Sequence, residues 1–208
     1  MQLAKAARII PYIHDRMNVI EVGSGDGSLT QLIAPHCRSI IGIDNAKEAK
    51  DIAEDNNQLH NVNFINSDLM KYENNFVNDT DAIVCMDVIE HIPYELHGAT
   101  LRKLCSMVRQ GGWLFFGTSP IKDNLLFGRN VKKFGENGDD PFRLSKRQAV
   151  KLVEHNGFRV VEVKVFDTYT WFPGCGMIKG EETFLTNLPF VGKFFASHVL
   201  VVAQKVVK

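Results

Sequence analysis

The chain lacks an excess of charge of either sign: its 208 residues carry 24 Lys and Arg against 24 Asp and Glu, a formal net charge of zero. Gripping nucleic acid through its phosphates requires a basic surface, so nucleic acid is not an expected partner. Cysteine is sparse. Cys37, Cys85, Cys105 and Cys175 are scattered without a C-x-x-C pair, which argues against a zinc knuckle or a disulfide framework and fits reduced thiols in a cytoplasmic protein. No apolar stretch follows Met1-Gln2-Leu3-Ala4-Lys5, so a secretory leader is not expected. A clean membrane span is missing too: the greasiest stretch, Phe184 to Val202, is broken by Pro189, Gly192, Lys193 and His198. Peripheral membrane contact through Phe184 to Phe195, with Lys179 and Lys193 nearby, is a secondary expectation. Repeats and low-complexity tracts are absent.

What is present is ordinary globular composition, 45% hydrophobic and 23% charged. A chain of this length buries one substantial core, so a single unit over 1–208 is expected. Apolar residues at helical spacing predict a helix over Leu3 to Ile13. Buried strands are expected at Asn18 to Val22, Ser39 to Asp44, Val62 to Asn66, Asp81 to Met86 and Trp113 to Thr118. Helices are expected from Ser28 to about Pro35, from Ala46 to Leu59, from Glu95 to Arg109 with a stop at Gly111-Gly112, and from Ser145 to Asn156-Gly157. Arg159 to Phe166 and His198 to Val206 complete the strands, the last pair as an antiparallel hairpin. Strands alternating with helices predict an α/β fold with a mostly parallel sheet. The core is expected at 18–166 and 198–207, with added segments at 121–141 and 167–196.

A glycine-rich turn, Gly23-Ser24-Gly25-Asp26-Gly27, follows the first strand. Glycine permits close backbone approach to a ligand and unusual dihedrals; a tight structural turn is the lesser alternative. Asp44 ends the second strand, about 20 residues on, where an acid can bind ribose hydroxyls; it also suits a cap for the next helix, as does Asn45. Asp68 follows the third strand in Asn66-Ser67-Asp68-Leu69. It is placed either to accept from an adenine amino group or to cap a helix. A dinucleotide site wants G-x-G-x-x-G. Here the spacing is E-x-G-x-G-x-G, with Ser28 where the third glycine of that pattern belongs, so an NAD(P) oxidoreductase is a disfavoured alternative.

The ordered set of motifs resembles the class I S-adenosylmethionine-dependent methyltransferases, of the type 11/12-like kind. Glu21 to Gly27 resembles their motif I. Gly42-Ile43-Asp44, Ser67-Asp68 and Asp81 to Ile92 are similar to the segments at strands two, three and four, and Arg109-Gln110-Gly111-Gly112 to the turn into strand five. The resemblance implies a Rossmann-like three-layer sandwich with a seven-stranded sheet in the order 3-2-1-4-5-7-6, strand seven antiparallel. It also implies S-adenosylmethionine as cofactor and S-adenosylhomocysteine as product. Glu21 would hold the ammonium end of the methionine part, directly or through water. Gly23, Ser24, Gly25 and Gly27 would lie against that part, Asp44 with Asn45 would take the ribose, and Asp68 with Leu69 the adenine. Asp87 and Val88 would border the methyl-bearing sulfur.

Methyl transfer from a sulfonium is an in-line displacement, so alignment and water exclusion are the protein's main tasks, with a base or metal where the acceptor needs activation. Asp87-Val88-Ile89-Glu90-His91 sits where that help belongs. If this loop were helical, Asp87, Glu90 and His91 would share a face and offer mixed oxygen and nitrogen ligands to a divalent ion. The segment also resembles the ubiquinone-biosynthesis O-methyltransferases and the small-RNA 3′-end methyltransferases, where a similar D/E-x-x-E-H is tied to metal. A complete metal site would want a further ligand after strand five, where this chain has Asp139 and Asp140 but no obvious histidine. Three readings stay open: a metal site at Asp87, Glu90 and His91; His91 and Glu90 as catalytic groups without metal; or positioning alone.

The acceptor is expected under residues 1–17, 121–141 and 167–196. The last holds Tyr169, Trp171, Phe172, Met177, Phe184, Leu188 and Phe190, apolar groups suited to a ring or lipid-like chain. Arg129, Lys133 and Arg143 are candidates for an anionic acceptor group or simply solvated charge. The expected function is methyl transfer to a small-molecule oxygen nucleophile on an aromatic or lipid-like substrate. The alternatives are a nitrogen, carbon, protein or RNA acceptor, or a non-catalytic cofactor-binding subunit that works with a partner chain. Net charge disfavours RNA, and strand four is not followed by an N-P-P-Y-type motif.

Overall fold

Five strands with near-continuous apolar runs form the parallel part of the sheet in a computed structural model that describes residues 1–74, 79–119, 142–166, 170–172, 176–178 and 198–207. They are β1 (Asn18–Val22), β2 (Ser39–Asp44), β3 (Val62–Asn66), β4 (Ala82–Met86) and β5 (Trp113–Thr118). Runs of this kind suit strands covered on both faces. β6 (Phe158–Phe166) and β9 (His198–Lys205) close the sheet in the order β3-β2-β1-β4-β5-β9-β6, with β9 antiparallel to both neighbours. The expected strand order and the antiparallel ending are therefore met. Between β6 and β9 the backbone of a small hairpin, β7 (Thr170–Phe172) with β8 (Gly176–Ile178), is also described.

Period-two alternation sorts the strand side chains onto two faces. Val19, Val84, Phe115 and Val202 pack with α1 (Gln2–Ile9) and α2 (Ser28–Ile33) through Ala6, Ile9, Leu29 and Ile33. Their neighbours Ile20, Ile83, Phe116 and Val201 face the other way, onto Leu101, Leu104 and Met107 of α4 (Tyr94–Met107) and Ala149 and Val153 of α5 (Lys146–His155). α3 (Lys47–Asn56) covers the β2–β3 side. Ser145 opens α5 with a reciprocal cap: its hydroxyl accepts from the Gln148 N–H at 3.3 Å, and Gln148 Oε1 accepts from the Ser145 N–H at 2.8 Å.

Helix ends depart from the sequence reading where long-range bonds or proline intervene. The first helix stops at Ile9, and Ile10–Tyr12 forms a 3-10 turn, because Pro11 cannot donate to the α-helical ladder. α4 ends at Met107, short of Gly111. There Arg109 N–H bonds the Thr80 carbonyl and Arg109 Nε pairs with Asp81 at 2.7 Å, drawing the chain out of the helix before the glycines. α3 ends at Asn56, and the buried Asn57 side chain donates to the Gly27 carbonyl at 3.1 Å. Among the described residues, no helix is long and apolar enough to cross a membrane.

Phe116 is fully buried at the sheet–helix contact. Phe116→Ala is expected to cost about 3–5 kcal/mol in urea unfolding, with the denaturant dependence unchanged.

Candidate active site

β1 and β4 lie side by side, yet β1 continues toward β2 and β4 toward β5. The chain thus leaves their carboxyl ends in opposite directions and opens a crevice, the usual ligand site of such sheets. A cavity of about 540 Å³ occupies it, lined by Gly23, Asp44, Asn45, Asp68, Leu69, Asp87, Val88 and His91, among others. The fold therefore brings together eight of the residues singled out in the sequence. Glu21, Ser24, Gly25, Gly27 and Glu90 sit around or beneath it rather than on its wall.

The glycine loop is shaped by requirement. Gly23 has φ +72°, and a Cβ there would lie 2.4 Å from Val88 Cγ2, so the ends of β1 and β4 meet at this residue. Gly27 has φ +76° and presses on Phe64, whose ring tip would be 2.8 Å from an added Cβ. Gly23 N–H and Ser24 N–H both bond the Ile43 carbonyl, at 2.8 and 3.2 Å.

Asp44 serves the local structure: Oδ2 accepts from Gly25 N–H and Oδ1 from Ala46 N–H, each at 2.9 Å. It holds the glycine loop and the turn into α3, while Ala46 is the residue preceding the helix. A carboxylate offers about four acceptor sites, so these two bonds leave capacity toward the cavity it lines. Asp68 likewise holds a turn, accepting from Met70 N–H at 2.7 Å.

Glu21 alternates with Ile20 and Val22 and so points to the α2 face, where the Thr30 hydroxyl donates to it. It is 3% exposed. Burial pushes its pKa up to about 8, against the smaller lowering effects of the Thr30 hydrogen bond and the Lys5 charge. Asp87 has the opposite fate. It is the positive-φ non-glycine residue of the described chain, at φ 57°. Its Oδ2 is paired with Lys5 Nζ of α1 and lies 3.5 Å from His198 Nε2 of β9. Burial raises its pKa, but the pairing with His198 and Lys5 outweighs this and holds it at about 2. Glu90 is 1% exposed and turns under the end of β5, accepting from Ser119 N–H at 3.1 Å and from the Thr118 hydroxyl at 3.3 Å. Its burial raises its pKa.

The D-x-x-E-H segment is not an α-helix. A left-handed Asp87 precedes one 3-10 turn, Ile89–His91, so its three side chains diverge. Asp87 faces Lys5 and His198, Glu90 faces Thr118 and Ser119, and His91 is exposed on the cavity wall. Among the described residues, no three His, Cys, Asp or Glu side chains are grouped to hold a metal ion. The shared face imagined for a metal is thus not the geometry found, and both carboxylates are engaged elsewhere. Asp139 and Asp140, the candidate further ligands, lie outside the described residues.

The sequence reading missed part of the wall: Met70, Ile92, Pro93, Leu96, Ala99 and Thr100. Leu96, Ala99 and Thr100 recur at i, i+3, i+4 on the first turns of α4, a signal that marks one helix face but not what it faces. Of the expected acceptor segments, residues 1–17 pack as α1 on the sheet. Arg129, Lys133, Tyr169, Phe184, Leu188 and Phe190 lie outside the described residues, as do the side chains of Trp171, Phe172 and Met177. Arg143 is described, its carbonyl accepting from the Tyr94 hydroxyl at 2.9 Å.

A family profile described as a methyltransferase domain matches residues 3–163. A ubiquinone biosynthesis O-methyltransferase from Shewanella is 26% identical over 146 residues, 67% of this chain and 56% of that protein. One of the same description from Aliivibrio fischeri is 28% identical over 122 residues, 56% of this chain and 46% of that protein. The chain thus spans about half the length of these curated relatives. Among solved structures, the N-methyltransferase NodS from Bradyrhizobium japonicum with S-adenosylhomocysteine superposes with TM-score 0.68 at 15% identity, covering 97% of this chain and 84% of that one. Magnesium protoporphyrin IX methyltransferase from Synechocystis, also with S-adenosylhomocysteine, gives 0.67 at 16% identity, covering 98% and 83%. At such identities these two establish likeness of fold.

The raised pKa of Glu21 makes the ligand-free protein pH-sensitive. Between the ordinary 4.5 and the folded value of about 8, the folded state holds a proton that the unfolded chain has released. Stability therefore falls as pH rises across that window, by up to about 1.4 kcal/mol per pH unit from this group. Chemical unfolding at pH 5, 6, 7 and 8 should show that slope flattened in Glu21→Gln; equal slopes in the two proteins would contradict it.

Proposed function

The chain belongs to the methyltransferase-domain family, and from that premise we propose that it takes S-adenosylmethionine as methyl donor and methylates an oxygen nucleophile on an apolar, aromatic or lipid-like small molecule. One observation carries this reading. The cavity that the exposed His91 lines also carries apolar residues on its wall, among them Met70, Ile92, Pro93, Leu96 and Ala99. Such a wall suits a ring or chain and offers little to a charged polymer. The O-methyltransferase description of the curated relatives supports the choice of oxygen, although their alignment covers about half of their length.

The donor supplies an activated methyl and a thioether leaving group, so the chain's own residues hold, orient and exclude water. The glycine loop keeps Cβ atoms out of the space against Val88. In our reading that space receives the methionine part of the donor, with Glu21 beneath it for the ammonium end. Asp44 and Asn45 take the ribose, and Asp68 and Leu69 border the adenine. Asp87 is a poor base, because its partners His198 and Lys5 hold its pKa at about 2 and leave its carboxylate little affinity for a proton. Glu90 is committed to Thr118 and Ser119 and acts by holding the loop. His91, whose imidazole is exposed on the cavity wall, is the group assigned to take the acceptor's hydroxyl proton. No step is routed through a metal, since the two carboxylates do not converge with His91.

Titration calorimetry with S-adenosylhomocysteine should show Asp44→Ala weakened at least about tenfold, as expected for a lost charged hydrogen-bond acceptor. For the acceptor, the purified protein is incubated with S-adenosylmethionine and a panel of phenols, catechols, quinols, fatty acids and amines, with and without EDTA. S-adenosylhomocysteine formed with a hydroxylated ring and unaffected by EDTA is the expected result. His91→Ala should then lower kcat about 10²-fold or more with donor affinity unchanged. Turnover with amines alone would overturn the oxygen assignment, and loss of turnover with EDTA would restore the metal reading.

A further inference from the structure

Asp87 carries more than its position at the donor site requires. It is held in the left-handed region, which side chains other than glycine, asparagine and aspartate seldom adopt. Its backbone N–H bonds the Gly117 carbonyl at 3.0 Å, tying β4 to β5. Its Oδ2 meets Lys5 Nζ from α1 and lies 3.5 Å from His198 Nε2 at the start of β9. Oδ1 is buried with no hydrogen-bond partner among the described residues. Lys5 is itself 2% exposed and His198 5%. The next residue, Val88, is the one that presses on Gly23. One carboxylate thus joins both ends of the chain to the point where the β1 and β4 loops meet.

A lysine buried to this degree normally needs an anionic partner, and in the described structure that partner is Asp87. Lys5 lies on α1, outside the glycine loop and the strand-end acids, and it does not line the cavity.

We propose that Lys5 is a positioning residue for the donor site: through its ion pair with Asp87, supported by His198, it holds the Asp87–Val88 backbone against Gly23. Loss of Lys5 leaves the Asp87 carboxylate buried without its cation, and the loop swings toward water to solvate it. The Val88–Gly23 contact opens, and the surface facing the methionine part of the donor is lost. The inference rests on the reading that Asp87 and Val88 border the donor.

The test is a double-mutant cycle on the full chain with Lys5→Met, Asp87→Asn and Lys5→Met/Asp87→Asn. Asparagine tolerates the left-handed backbone and removes the charge. The readouts are the S-adenosylhomocysteine Kd by calorimetry, which needs no acceptor, and thermal unfolding of the ligand-free protein. Lys5→Met is expected to weaken binding about tenfold, whereas adding it to Asp87→Asn is expected to cost less than about threefold further. If Lys5→Met does not fold, the proposal expects the double variant to fold and bind. A double variant about tenfold weaker than Asp87→Asn, or one that fails to fold while Asp87→Asn folds, would reduce Lys5 to helix packing and overturn the proposal. So would a Lys5→Met that binds like wild type. A wild-type protein that does not bind S-adenosylhomocysteine would instead sink the donor-site reading itself, which keeps the two failures apart.

Discussion

The parallel pairing of β1 with β4 is the constraint on which the site depends. Val19 to Val22 lie in register with Ala82 to Cys85, and β4 is buried along its whole length. Strands covered on both faces have no solvated side on which to place function, so chemistry is displaced to their ends. Because the chain turns away in opposite directions from those ends, the crevice above them is left open. Its floor is the contact of Gly23 with Val88. A side chain at position 23 would wedge the two strand ends apart, and for that reason the glycine and the branched residue opposite belong to one feature.

Three carboxylates around this crevice show how environment assigns different states to the same chemistry. Glu21 is buried, with a hydroxyl partner and, among the described residues, no ion pair, and burial raises its pKa. Asp87 is half-buried, but His198 and Lys5 reverse the outcome and keep it ionised. Glu90 takes a backbone N–H and a hydroxyl, and its burial prevails. Counting acids near the site would treat these groups as equivalent; their partners make them a neutral acid, a locked anion and a loop anchor. His91 lines the cavity, as Asp87 does, and is the exposed one of the three D-x-x-E-H side chains.

The division of labour along the chain follows from this geometry. In the proposed reading, the donor side draws on short segments that each end a strand, so its shape is settled by local backbone conformation: positive φ at Gly23, Gly25 and Gly27, and N–H groups turned onto Asp44. The side beside His91 draws on the first turns of α4, whose apolar residues are presented by the packing of that helix on the sheet. Donor recognition can therefore be common to a family, while the acceptor wall is set by side chains that a different sequence would change without disturbing the sheet.

The sequence by itself determined the strands and their antiparallel ending, because alternation and apolar runs are local signals that survive without tertiary context, while the residues expected at the crevice followed from the resemblance of its ordered motifs to a family. It left Asp44 and Asp68 between a capping and a ligand role; the structure shows each accepting a backbone N–H while lining the cavity. Helix ends at Ile9, Asn56 and Met107 were decided by Pro11 and by partners distant in the chain, such as Thr80 and Asp81 for Arg109. The directions of Asp87, Glu90 and His91 were decided only by the tertiary structure. Their spacing suggested one helical face, but a helix forms only where the backbone can stay helical. Here Asp87 adopts a left-handed conformation and pairs with the buried Lys5 of α1, 82 residues earlier in the chain, and the three side chains point apart.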